Sequence, residues 1–126
     1  MIVLDACVWI AFLNETDSQH QKAVNIFLDV QEPILLPEYI ILEVYTVLVT
    51  RVGKTEADTF LSLTADNQDV LILLTDESFF LTVIATCKEQ RRPGLSFADT
   101  ALVVLSSEHT IITFDRRLQK TLQLHR

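Results

Sequence analysis

Four short apolar runs, Ile2–Leu4, Ile34–Leu36, Val70–Leu74 and Thr110–Phe114, divide this chain of 126 residues into helix-length segments. Runs of that length without polar alternation suit strands buried on both faces. Strands alternating with helices favour a parallel sheet, because parallel neighbours need a long crossover between them. The expected fold class is α/β: a three-layer sandwich whose central, mostly parallel sheet has four or five strands. Leu122–Leu124 would supply the fifth.

The connecting segments read as helices. Ala6–Leu13 is short, and Ser18–Val30 places Ala23, Ile26, Phe27 and Val30 on one face at helical spacing before Pro33 stops it. Pro37 and Glu38 suit the opening of a helix that runs to about Val52, with Gly53 as its stop. Thr55 and Asp58 have the spacing of a capping box for a helix reaching about Ala65. A further helix runs from Asp76 or Glu77 to about Glu89, ahead of Pro93 and Gly94. Ser96 opens another, closing near Glu108, and Asp115–Lys120 makes one helical turn or two. Repeats, low-complexity tracts and linkers are absent from the sequence, so residues 1–126 are expected to form one domain.

The charges narrow the range of functions. A net charge of −7 is unusual for a protein that grips nucleic acid over a broad surface. The charge is uneven, however: residues 1–87 sum to −10 and residues 88–126 to +3. No apolar run approaches the roughly 20 residues of a membrane span, and the N-terminus lacks the basic region of a secretory signal. Cys7 and Cys87 are too few for a disulfide framework. A cytoplasmic protein without membrane contact is expected.

Four acids stand out by isolation. Asp5 is the only charge between Met1 and Asn14, Glu43 between Tyr39 and Thr50, and Asp99 between Leu95 and Ser107. Asp115 ends an apolar strand, followed by Arg116 and Arg117. Asp5 and Asp115 each have a plain use as N-caps of the next helix, and Asp99 as the third-position partner of a Ser96 cap. Glu43 has no such use, being well past the first turn, with no basic residue at helical spacing. An apolar setting for a carboxylate calls for a cation or for protonation. Hard oxygen ligands of this kind suit Mg²⁺ or Mn²⁺, with water and phosphate filling the remaining positions. Such ions activate water for in-line attack at phosphorus, a chemistry that requires carboxylates and no histidine. His20, His109 and His125 lie in polar or terminal segments and read as surface residues.

In IVLDACVWIAFL around Asp5, LEV around Glu43, LSFADTALVVL around Asp99 and IITFDRRL around Asp115, the chain resembles the PIN-domain ribonucleases, in particular the VapC-type toxins. The order and spacing of these pieces cover essentially the whole chain. The resemblance implies one PIN-like nuclease domain that cleaves single-stranded or loop RNA with Mg²⁺ or Mn²⁺, leaving 5′-phosphate and 3′-hydroxyl ends. It implies Asp5 and Asp99 as direct metal ligands, with Glu43 and Asp115 completing the cluster. It also implies a homodimer held inactive by a small antitoxin that inserts a segment into a groove near the site.

One position departs from the family pattern, where Ser or Thr commonly follows the first aspartate by two residues and this chain has Cys7. A thiol donates a weaker hydrogen bond than a hydroxyl. Ser96 and Thr113 are candidate supporting hydroxyls, and Arg91, Arg92, Arg116, Arg117 and Lys120 are candidate phosphate contacts. Two rivals are a receiver-like signalling module, in which Asp76 would be the phosphorylated acid, and a PIN fold that has lost activity. The receiver leaves Glu43 and Asp99 without a role. With only Gly53 and Gly94, no glycine-rich phosphate loop exists.

Overall fold

A computed structural model describes residues 1–90 and 94–124. Strands β1 (Ile2–Leu4), β2 (Ile34–Pro37), β3 (Val70–Leu73) and β4 (Thr110–Ile112) form one sheet in the order β3-β2-β1-β4. Every pairing is parallel, with Ile2 opposite both Ile34 and Thr110, and Ile34 opposite Val70. The helices are α1 (Ala6–Leu13), α2 (His20–Asp29), α3 (Glu38–Val47), α4 (Lys54–Asp66), α5 (Glu77–Glu89), α6 (Phe97–Leu105) and α7 (Arg116–Leu124).

The strand order explains the layers. From β1 the chain steps outward to β2 and β3, then returns across the sheet to place β4 on the other side of β1. Right-handed crossovers running in opposite directions lie on opposite faces of a sheet. Accordingly α1 packs with α2, α3 and α4, whereas α6 packs with α5 and α7. The main core is built around Trp9 and Phe60, edge to face at 5.4 Å, with Phe27 against Trp9 at 5.0 Å.

Several boundaries differ from the sequence expectation. The helix expected from Ser18 starts at His20, because Asp17 turns back to accept the Gln19 N–H at 2.8 Å. The helix expected to reach Val52 instead closes with a π-turn over Leu48–Val52, in which the Gly53 N–H reaches five residues back to the Leu48 carbonyl at 2.8 Å. The Thr55–Asp58 capping box does not form. Gly53 occupies the cap position of α4, so Thr55 falls inside the first turn and Asp58 pairs with Lys54. Leu122–Leu124 is the end of α7, not a strand: Leu118 and Leu122, one helical turn apart, are the residues buried. The sheet therefore has four strands.

No helix of the described residues is long and apolar enough to cross a membrane. What matters most for function is the switch in direction at β1. In open α/β sheets ligands collect at the carboxyl ends of strands where the winding reverses, and here that is the end of β1 beside β4.

Candidate active site

Asp5 follows β1 directly. Its backbone is extended, its N–H donates to the Ile112 carbonyl at 2.9 Å, and it forms the last rung between β1 and β4. The side chain turns into the structure, where it is 6% exposed. Oδ1 accepts the Ala6 N–H at 2.7 Å, capping α1, and Oδ2 accepts the Thr113 hydroxyl at 2.6 Å. The expected capping role is therefore present, and one oxygen remains committed to β4's end.

Thr113 is the joint of the site. Its hydroxyl, on a side chain 5% exposed, donates to Asp5 and accepts the Asp115 N–H at 3.0 Å. Cys7 lies alongside: its Sγ is 3.6 Å from both Asp5 Oδ2 and Thr113 Oγ1, and it accepts the Phe114 N–H at 3.4 Å. Burial, then the charge of Asp5, pushes the Cys7 thiol up to about 11, so it acts as a neutral S–H. Here Cys7 closes the contact between α1 and the segment after β4.

Asp99 stands in the first turn of α6. The capping box expected there is formed: Ser96 Oγ accepts the Asp99 N–H at 3.0 Å, and Asp99 Oδ2 accepts the Ser96 N–H at 3.1 Å. Capping does not remove its charge from the site, because Asp99 raises the pKa of both Asp5 and Glu43. The cap fixes the Asp99 carboxylate in place.

Glu43, mid-helix in α3, is solvent-exposed as a whole side chain, not sealed in the interior as the apolar run suggested. The reason is that Ile40 and Val44 point inward while Leu42 and Glu43 do not. Its carboxyl is still raised, first by partial shielding from water and then by Asp5 and Asp99. Asp5 is raised mainly by burial, against the opposing hydrogen bonds of Thr113 and Ala6. Among the described residues the two ion pairs are Met1–Glu32 and Lys54–Asp58, so no basic side chain pairs with these three acids.

Asp115 is placed differently. It is exposed, and its Oδ1 accepts the N–H groups of Arg117 and Leu118 at 2.8 and 3.1 Å, capping α7. Thr113 joins it to Asp5 through two hydrogen bonds. Of the basic candidates, Arg116, Arg117 and Lys120 are exposed on α7, where Arg117 Nη1 donates to the Gly94 carbonyl at 3.1 Å. Arg91 and Arg92 lie outside the described residues. Lys22 was not evident from the sequence: its ammonium stands 5.1 Å from the centre of the Phe114 ring, a contact between residues far apart in the chain.

The acids suit a hard divalent cation by donor type and by their uncompensated charge. Among the described residues no three His, Cys, Asp or Glu side chains stand close enough to enclose an ion.

The class of protein that the fold defines is a parallel α/β sheet with an aspartate at the end of the strand where its winding reverses. The PIN domain family model matches residues 2–122, and the chain belongs to that family. Among solved structures, Mycobacterium tuberculosis VapC20, a sarcin-ricin loop cleaving toxin, superposes with a TM-score of 0.85 at 18% identity. The match covers 95% of this chain and 94% of that one. FitAcB from Neisseria gonorrhoeae superposes with a TM-score of 0.69 at 15% identity, covering 98% of this chain and 94% of its own. No curated protein sequence matches.

Proposed function

We propose that this protein is a Mg²⁺- or Mn²⁺-dependent endoribonuclease and the toxin of a toxin–antitoxin pair. The observation that carries the reading is that Asp5, Glu43 and Asp99 are close enough to act on one another's charge, while among the described residues no basic side chain is paired with them. Family membership and the likeness to VapC20 support it. A bound divalent ion would supply an acidified water and neutralise charge building on the phosphate.

The chain's own groups do the rest. Asp5 and Asp99 would hold the ion, the first locked by Thr113 and Ala6, the second by Ser96. Glu43, exposed and carrying a raised pKa, is suited to accept the proton of the attacking water. Asp115 completes the acid set from the tip of α7, and Arg116, Arg117 and Lys120 meet the RNA backbone. The products carry 5′-phosphate and 3′-hydroxyl ends.

The same reading includes a cytoplasmic setting, an antitoxin partner and a homodimer. Leu71, Ile72 and Leu74 on and after edge strand β3, with Phe80 and Leu81 on α5, leave apolar surface that a dimer would cover. The PIN domain match over residues 2–122 argues against the receiver alternative, whose acid would be Asp76 at the cap of α5. Purified protein should cleave RNA with Mg²⁺ or Mn²⁺, stop with EDTA and be inactive as Asp5→Asn. RNA cleavage that survives that substitution would falsify the mechanism.

A further inference from the structure

We propose that Lys22 is a phosphate-contacting residue that positions the RNA strand across the carboxylates. The inference rests on the nuclease reading and adds to it a residue from the acidic half of the chain.

Lys22 lies in the first turn of α2, a helix with no acid in that turn and no side-chain cap at Gln19. A cation is ordinarily unfavourable there, since the helix's own N–H groups already make that end positive. Its potential therefore adds to that of the helix end instead of cancelling it. The ammonium is held 5.1 Å above the Phe114 ring. Phe114 in turn is fixed by its N–H bond to Cys7 Sγ at 3.4 Å, and stands between Thr113, which holds Asp5, and Asp115.

This cation is anchored on the ring of Phe114, the residue between Thr113 and Asp115, and among the described residues it is not spent in an ion pair. Among the described residues no carboxylate forms an ion pair with Lys22. The surroundings sharpen the point, because residues 1–87 carry only Lys22, Arg51 and Lys54 as basic residues, and Lys54 is taken by Asp58. A chain this acidic repels RNA over most of its surface, so the contacts that hold a strand must be cations at the site's rim. With α7 supplying Arg116, Arg117 and Lys120 from one element, Lys22 supplies a contact from another. The ligand chemistry is the phosphodiester backbone, read without regard to base.

The test uses a fluorescein-labelled single-stranded 12-mer oligoribonucleotide, in two unrelated sequences, titrated against Asp99→Asn protein so that binding is seen without cleavage. Adding Lys22→Met should weaken binding of both sequences by about five- to tenfold and reduce the slope of log K against log salt by about 0.7. Lys22→Arg should restore both. In otherwise wild-type protein Lys22→Met should raise KM and leave kcat unchanged. A Lys22→Met variant that matches its parent in affinity and salt slope overturns this inference alone. Parent protein that neither binds nor, with Asp99 intact, cleaves the oligonucleotides overturns the nuclease reading and this inference with it.

Discussion

Two strand-to-helix junctions lie side by side in this sheet and use the same residue type to different ends. At β1–α1, Asp5 caps the helix with one oxygen, is buried, and has its pKa raised by burial and by Asp99. At β4–α7, Asp115 caps the helix with Oδ1, but its side chain is exposed. The difference comes from the sheet. β1 is interior, with β2 and β4 on its two sides, whereas β4 is an edge strand. A carboxylate at the end of an interior strand is desolvated by its neighbours; one at an edge keeps its water. Capping alone therefore does not decide whether an aspartate is structural or chemical.

The largest test of this contrast is catalysis. Asp5→Asn should abolish RNA hydrolysis, whereas Asp115→Asn should lower it by only about tenfold, as expected for a group that orients from outside the metal's own ligands. Asparagine caps helices as well as aspartate, so both substitutions remove the charge and keep the helix cap. Equal losses at the two positions would erase the distinction, and single-turnover cleavage rates measure it.

Next in size is the response to metal. Because the coupled acids repel one another, Mn²⁺ at a hundredfold excess over its Kd should stabilise the fold by about 2.7 kcal/mol, or roughly 10 °C in Tm. Asp99→Asn should remove most of that shift and Asp115→Asn should leave most of it. Thermal melts with and without Mn²⁺ decide this, and an undiminished shift in Asp99→Asn would take Asp99 out of the site.

Thr113 joins the two junctions, so it sharpens the comparison in another way. Thr113→Val removes the donor to Asp5 and the acceptor for the Asp115 N–H together. Metal affinity measured by calorimetry should fall by about 10- to 100-fold, with Thr113→Ser retaining most of it.

The smallest effect is on pH dependence. Asp5 and Glu43 bind protons more tightly folded than unfolded. Linkage then requires their contribution to metal-free stability to fall as pH rises from the ordinary carboxylate value to their raised folded values. Above that window the full penalty is present. Metal-free Asp5→Asn should accordingly be more stable than the parent at pH 7 and lose that advantage in acid, as urea titrations would report. A parent that stays more stable than Asp5→Asn across this range would contradict the raised pKa.

Much of this was legible in the chain. The apolar runs at Ile2–Leu4 and Ile34–Leu36 became strands because continuous apolar residues of that length have few other uses. The Ser96–Asp99 capping box formed because it is a local motif, and Gly53 displaced the similar one at Thr55 by taking the cap position itself. Glu43 was singled out as a charge in an apolar run, yet its side chain faces solvent. The period of α3 inside an apolar run leaves too little contrast to show which residues turn outward.

By itself, then, the sequence determined which segments become strands and helices and which acids have no local partner, because periodicity, capping and charge isolation are properties of neighbours in the chain. Only the tertiary structure decided that Thr113 would join Asp5 to Asp115, that Cys7 would bridge α1 to Phe114, and that Lys22 would stand over that ring. Those contacts come from placing β4 beside β1, and the order of strands in a parallel sheet is set by how the crossovers pack, which no local pattern encodes.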